Sequence, residues 1–381
     1  MKKTLLSSVL FATLAVSAMS AQASEYPNLP EVIAGSGTGT LVGDTLYVGL
    51  GSGSDLFYSL DLKQKDAKWQ ALPAFPGGAR NQAVAAGVDG KLYVFGGFKN
   101  TEVADNQTAN DAYSYDPQTK QWSKLITRSP FGSSAGTSAV TYKGQIYFIG
   151  GVNQNIWDGL FQDAKAAGAE GKDKVFDKYF NMPASDFFFN TLVASYEPKT
   201  NAWHNKGYFP YGGRAGASVA VKGNQILVVN GEIKAGLRTP STDLGTIGTR
   251  TITWKALGDL PAPKGEKSQE GIAGAMGGYS NGTYIITGGA NFPGARANYA
   301  RGIMDAHRTG GLKKAYHNEV YALNNKTGKW TEIGKLDQNI GYGVAVSYNN
   351  KVLLVGGKTD GNKALTSVKT MSYDGKNLTV E

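Results

Sequence analysis

One phrase recurs along the chain, a short β-branched and aromatic run that ends on glycine. It reads LYVGLGSG from Leu46, KLYVFGG from Lys91, QIYFIGG from Gln145, QILVVNGE from Gln225, TYIITGG from Thr283 and KVLLVGG from Lys351. Most copies follow a turn dipeptide (Asp89-Gly90, Lys143-Gly144, Lys222-Gly223, Asn281-Gly282 or Asn349-Asn350), so the phrase is expected to be the second strand of a hairpin. Downstream of most copies come a tyrosine-bearing strand, a turn and a tryptophan, as in YSYDPQTKQW ending at Trp122, ASYEPKTNAW at Trp203 and VYALNNKTGKW at Trp330. Trp69 and Trp254 hold the same place in their repeats. A unit of roughly 50 residues with four strands stacks on its neighbours around an axis, which makes a propeller.

The combination of strand, double glycine, strand, turn and tryptophan resembles the kelch repeat. The expected fold is therefore all-β, a six-bladed kelch-type β-propeller over residues 24–381, with blades at about 35–74, 79–126, 134–207, 214–258, 272–334 and 342–379. The glycines allow close backbone approach near the crowded axis, and each tryptophan packs between blades. Ring closure is expected to pair strands from the two ends of the chain, since an open edge invites aggregation.

Residues 1–23, MKKTLLSSVLFATLAVSAMSAQA, carry two lysines, a short apolar run and a small-residue Ala-Gln-Ala end. They read as a secretory signal peptide, and a soluble, exported, periplasmic protein is expected. Of the net charge of +9, two units sit on Lys2 and Lys3. The remaining excess is mild and scattered, which suits a small anionic ligand and argues against nucleic acid. With no cysteine and only three histidines, none at i, i+4 spacing, neither thiolate chemistry nor a helical zinc motif is available, and no metal or cofactor is expected.

In a symmetric array, function is grafted where the repeat breaks. Blade three carries an insertion after Gly151, beginning VNQNIWDGLFQDAKAAGAEGKDKVFDKYF, whose Ile156, Leu160, Ala164, Val175 and Tyr179 suggest helical turns. Blade five carries ANFPGARANYARGIMDAHRTGGLKKAYHNEV after Gly289. The same post-glycine position in blade four holds Glu232, with Arg238 six residues on. The three segments are expected to ring one mouth of the channel as a pocket, with oligomerisation or rim decoration as the alternatives. Arg80 in FPGGAR and Arg214 in PYGGR stand just before innermost strands, where they either reach the channel or pack between blades. Phe187, Phe188 and Phe189 are expected to anchor the blade-three insertion.

The phrases FPGGARNQA, GGVNQNIWDG, NGEIKAGLRT and GGANFPGARANYARG followed by GLKKAY, in this order, resemble the N-acetylneuraminate epimerase family of bacterial periplasmic sialic acid mutarotases. The resemblance implies interconversion of the α and β anomers of free N-acetylneuraminate. It also implies that Glu232 of the NGE motif is the proton acceptor and places Arg238 of the LRT element beside it. Ring opening to a 2-keto acid asks for an acid/base group and an anion clamp, with no covalent nucleophile. On this reading Glu232 moves the protons, Arg238 takes the substrate carboxylate, and Arg80 adds charge, with Arg214 a further candidate. Asn153, Gln154 and Asn155 would bond the N-acetyl or glycerol groups, and Arg296 and Tyr299 would complete the rim. His307 and His317 are either proton shuttles or solvated side chains. Lys313 and Lys314 either add positive potential or are only a solvated face. A non-catalytic propeller that binds an acidic sugar would use the same arginines but has little use for Glu232. A sialidase would repeat S-x-D-x-G-x-x-T-W boxes, and only Ser241 to Gly245 approaches one.

Overall fold

A computed structural model of the protein describes residues 24–381 apart from 34, 188, 306, 309 and 310. The leader expected over 1–23 and the anchor Phe188 lie outside the described residues. The recurrent phrases form the second strands of six antiparallel sheets arranged as a six-bladed β-propeller. In blade four, Ser218–Lys222, Gln225–Val229, Thr242–Ile247 and Ile252–Ala256 lie side by side. At Asp89-Gly90, Lys143-Gly144, Asn281-Gly282 and Asn349-Asn350 both turn residues have positive φ, the type I′ form that matches strand twist. Blade four differs from expectation. Lys222 pairs with Gln225, so its turn is Gly223-Asn224, with glycine supplying the single positive φ at the first position.

The innermost strands Thr38–Val42, Val84–Val88, Thr137–Tyr142, Ser218–Lys222, Met276–Ser280 and Val344–Tyr348 adjoin one another in a closed circle around the channel. Just before each stands a residue of positive φ: Ser36, Gln82, Gly136, Gly216, Gly274 and Tyr342. Their backbone N–H groups donate in a ring. Gln82 donates to the Ser36 carbonyl at 2.8 Å, Gly136 to Gln82 at 3.3 Å, Gly216 to Gly136 at 3.0 Å, Gly274 to Gly216 at 2.9 Å, Tyr342 to Gly274 at 2.7 Å and Ser36 to Tyr342 at 2.8 Å. That last bond joins the two ends of the chain. The expected strand exchange is therefore corrected, because blade one is built from N-terminal strands alone and blade six from C-terminal strands alone. Closure falls instead to this ring and to the segment ahead of blade one, where Leu29 donates to the Thr366 carbonyl at 2.8 Å and Tyr26, Leu29 and Ile33 are buried in the core shared by blades one and six.

Five further apolar clusters fill the remaining blade contacts. The tryptophans sit where expected, and Trp122, Trp203 and Trp330 each reach back to the preceding repeat, donating from Nε1 to the Pro73 carbonyl, Thr127 Oγ1 and Thr242 Oγ1 at 2.8 to 2.9 Å. The blade-three insertion is helical, with α1 over Gln154–Ala166, α2 over Gly168–Phe180 and α3 over Ala184–Phe187, while blade five adds the short α4, Ala295–Ala300. Leu160 and Ala164 form the buried stripe of α1, and Phe187 and Phe189 are buried beneath the insertion. Among the described residues no helix is long and apolar enough to cross a membrane.

Candidate active site

The residue after each glycine pair is held by the same main-chain device. Phe98, Glu232, Ala290 and Lys358 bridge to Asn81, Ala215, Ala273 and Gly341, and Val152 donates to the Ala135 carbonyl at 3.1 Å. Phe98, Val152, Glu232 and Lys358 therefore converge on one mouth, where they line a cavity of about 310 Å³. Its floor is the hydrogen-bonded ring, through Ser36, Gln82, Gly136, Gly216 and Tyr342. Its walls include Trp157 from α1 and Phe292, His307 and Lys314 from the blade-five insertion.

The NGE phrase makes the central feature. Asn230 and Gly231 both take positive φ and turn the chain off the strand end, with the fully buried Asn230 side chain bonded to the Ile272 N–H and the Pro240 carbonyl. Glu232–Lys234 then folds back on Leu237–Arg238, so residues six apart in sequence become cross-strand partners. Arg238 Nη1 lies 3.1 Å from Glu232 Oε1, which also accepts the Gly236 N–H at 2.8 Å. Only glycine fits at 236, where φ is +82° and a Cβ would stand 2.3 Å from His307 Nδ1. The guanidinium is 4 % exposed, lies 5.0 Å over Phe292, donates to the Tyr342 hydroxyl at 3.5 Å, and keeps Nε without a hydrogen-bond partner among the described residues. Burial opposes its charge, but Glu232 and Tyr342 outweigh that and hold its pKa above the ordinary value.

Around this pair the pocket is cationic. Burial, aided by Arg238 and opposed by Glu232, brings the Lys314 ammonium down to about 8, and burial with Lys314 nearby lowers Lys358. Burial likewise lowers His307, whose Nδ1 faces Asp305 at 3.2 Å, and raises the Tyr342 phenol. The Tyr342 ring lies against Gly274, where a Cβ would meet it at 2.4 Å. Gly274→Ala should therefore displace the ring and lose ~1 kcal/mol for a left-handed backbone, read as a fall in both kcat/KM and the urea midpoint. The two insertions are tied over the mouth: Lys234 Nζ donates to the Phe180 and Met304 carbonyls at 2.6 Å, and the Ala184 N–H donates to the Tyr299 hydroxyl at 2.9 Å.

Known proteins resemble this chain over nearly its whole length. A family model for N-acetylneuraminate epimerase covers residues 26–380. A Pasteurella multocida protein named N-acetylneuraminate epimerase is 63% identical over 98% of both chains, and one of the same name from Haemophilus influenzae is 56% identical over 100% of this chain and 99% of its own. The solved structure of YjhT superposes with a TM-score of 0.88 at 40% identity, covering 94% of this chain and 100% of that one. The chain belongs to the N-acetylneuraminate epimerase family.

Of the residues singled out in the sequence, the structure gathers Glu232, Arg238, His307 and Lys314, with Phe189, into this pocket and leaves others outside it. Arg80 is spent on the scaffold. Its guanidinium pairs with Asp111 at 2.6 Å, donates to the Gly77, Gly78 and Gly96 carbonyls and lies over Phe75. Arg214 repeats the pattern one blade pair on, pairing with Asp243 at 2.9 Å, donating to the Asn230 carbonyl at 3.2 Å and lying over Phe209. The signal was present, since Phe-Pro precedes both Gly-Gly pairs, and a phrase kept in two repeats marks scaffold. Asn153 is the N-cap of α1, accepting from the Ile156 N–H, and with Gln154 and Asn155 it faces a separate outer groove beside Tyr208. Arg296 is exposed and reaches the Arg238 carbonyl at 3.4 Å, and Tyr299 is a tie between insertions. His317 sits by Glu319 in another cavity, and Lys313 is exposed. Tyr342, Lys358, Phe98 and Trp157 were missed; Phe98 and Lys358 hold the post-glycine position of Glu232 and were legible from it.

Proposed function

We propose that the protein is an N-acetylneuraminate mutarotase, an isomerase that interconverts the α and β anomers of free sialic acid. The carrying observation is a carboxylate, Glu232, set 3.1 Å from a buried guanidinium, Arg238, inside an otherwise cationic pocket sized for one sugar. The substrate carboxylate sits on the anomeric carbon, so a clamp at Arg238 delivers the anomeric hydroxyl to the neighbouring Glu232. Glu232 accepts that proton as C2 becomes a carbonyl and the C2–O6 bond breaks, with O6 taking a proton. Rotation about C2–C3 presents the other face of the carbonyl. O6 then adds back, its proton is released, and Glu232 returns its own to the carbonyl oxygen. The buried phenol of Tyr342 braces Arg238 and keeps its own proton. The leader-like run at 1–23 supports a periplasmic place for this activity.

The alternative, a receptor for acidic sugars, leaves a carboxylate facing an anionic ligand without use. Proton NMR of freshly released α-N-acetylneuraminate, following the C3 protons, decides between them. The expected result is equilibration faster with the protein than without it; binding with an unchanged spontaneous rate would leave only the receptor.

A further inference from the structure

The reaction needs two proton positions, one at the anomeric hydroxyl and one at the ring oxygen, and Glu232 with Arg238 accounts for the first. We propose that Lys314 is the second acid/base group, whose ammonium protonates the ring oxygen on opening and takes the proton back on closure. This rests on the mutarotase reading.

Four other groups in the pocket could compete for the role, and each is otherwise placed. Tyr342 is a buried phenol against Arg238, and burial with Glu232 nearby makes its proton harder to give. His307 is wedged between Phe180, which it meets edge-on, and the tilted ring of Phe292, each 5.2 Å between ring centres, with Nδ1 turned to Asp305, and burial disfavours its charged form. Arg238 cannot release a proton near neutrality. Of the two lysines, Lys314 is the one moved by both Glu232 and Arg238, whereas Lys358 feels burial and Lys314.

Lys314 is also well placed. It lines the same pocket as Glu232 and Arg238, with Nζ 4.3 Å from the Tyr342 ring centre and 5.1 Å from that of Tyr316. Tyr316 is itself fixed, donating its hydroxyl to Asn362 Oδ1 at 2.7 Å. Two rings cradle the ammonium, and no carboxylate bonds it directly among the described residues. The charged and titratable groups facing it are Glu232 and Arg238 from the hairpin, Tyr316 from its own segment, and Tyr342 and Lys358 from blade six. Burial above all, then Arg238, with Glu232 opposing, brings it to about 8. A group poised there gives and takes a proton near neutral pH, as one acid/base partner must in both directions. The step balances: the ammonium proton goes to O6 as the C2–O6 electron pair leaves, and the resulting amine recovers that proton when O6 attacks C2.

The test separates a proton donor from a mere positive charge. Lys314→Arg keeps the charge but cannot donate, so it should lose ~10²-fold or more in kcat with KM within about threefold of wild type, and Lys314→Met should lose at least as much. Wild-type kcat/KM, after subtraction of the spontaneous rate, should fall on the alkaline side as the ammonium is lost, and that limb should vanish in both variants. Thermal shift by N-acetylneuraminate checks that each variant folds and binds; if neither does, the wild-type alkaline limb alone decides. Wild-type kcat in Lys314→Arg, or a flat wild-type profile above pH 7, overturns the assignment while leaving the mutarotase reading intact. No acceleration by the wild type would overturn that reading instead.

Discussion

Glu232→Gln is expected to lower kcat for anomer interconversion by ~10² to 10⁴-fold, the usual contribution of a positioned acid/base group. KM should stay level or fall, and the direction follows from the geometry. In the free protein the Glu232 carboxylate occupies Arg238 Nη1 at 3.1 Å, so it competes with the substrate carboxylate for the same guanidinium. Glutamine keeps an oxygen for the Gly236 N–H, which Glu232 Oε1 accepts at 2.8 Å, and so preserves the hairpin, but it withdraws the competing charge. A variant with normal kcat and a raised KM would mean that Glu232 binds substrate without moving its proton. Equilibration followed by NMR at several substrate concentrations separates the two.

Arg214→Leu is expected to cost ~3–5 kcal/mol of stability, because it strands the Asp243 carboxylate. Both partners are almost fully buried, with side chains 1% and 2% exposed. Burial already pushes the Asp243 carboxyl up against the opposing pull of Arg214, so without the arginine it should protonate, and the residual penalty is that of an unpaired polar group. Arg80→Leu should cost less, since Asp111 is 17% exposed and water can replace part of what the guanidinium supplies. Urea unfolding measures both. A raised KM at unchanged urea midpoint would return either arginine to the substrate site.

These two substitutions mark where sequence reasoning reached its limit. The propeller was legible because a strand ending on glycine recurs six times, followed in five copies by a tryptophan, which admits few architectures, and equivalent positions in a ring project alike. Glu232 was legible for the same reason, as the carboxylate at a position where other blades carry Phe98, Val152, Ala290 or Lys358. Its partner Arg238, six residues on, was legible from the LRT element of the family resemblance, and the structure adds the hairpin across Gly236 that pairs the two. Arginines before an inner strand looked equally suited to the channel, and only the Phe-Pro and Gly-Gly phrase shared by their two repeats sets them apart from Arg238. The turn geometry sends Arg80 and Arg214 into the carbonyls of Gly96 and Asn230, where a carboxylate waits, the part-exposed Asp111 or the buried Asp243.

By itself the sequence determined the repeat, and with it the number of blades, the place of the tryptophans and the mouth at which the repeat breaks converge. Those follow from periodicity, which needs no knowledge of distant contacts. Only the tertiary structure decided the ring of hydrogen bonds that joins Ser36 to Tyr342, the turning of Asn153 to cap a helix, and the gathering of Lys314, Tyr342 and His307 around Glu232. Insertions carry no period, so where their side chains end up depends on which distant surfaces they bury against. That is decided by packing between blades four, five and six, and not by any local run of residues.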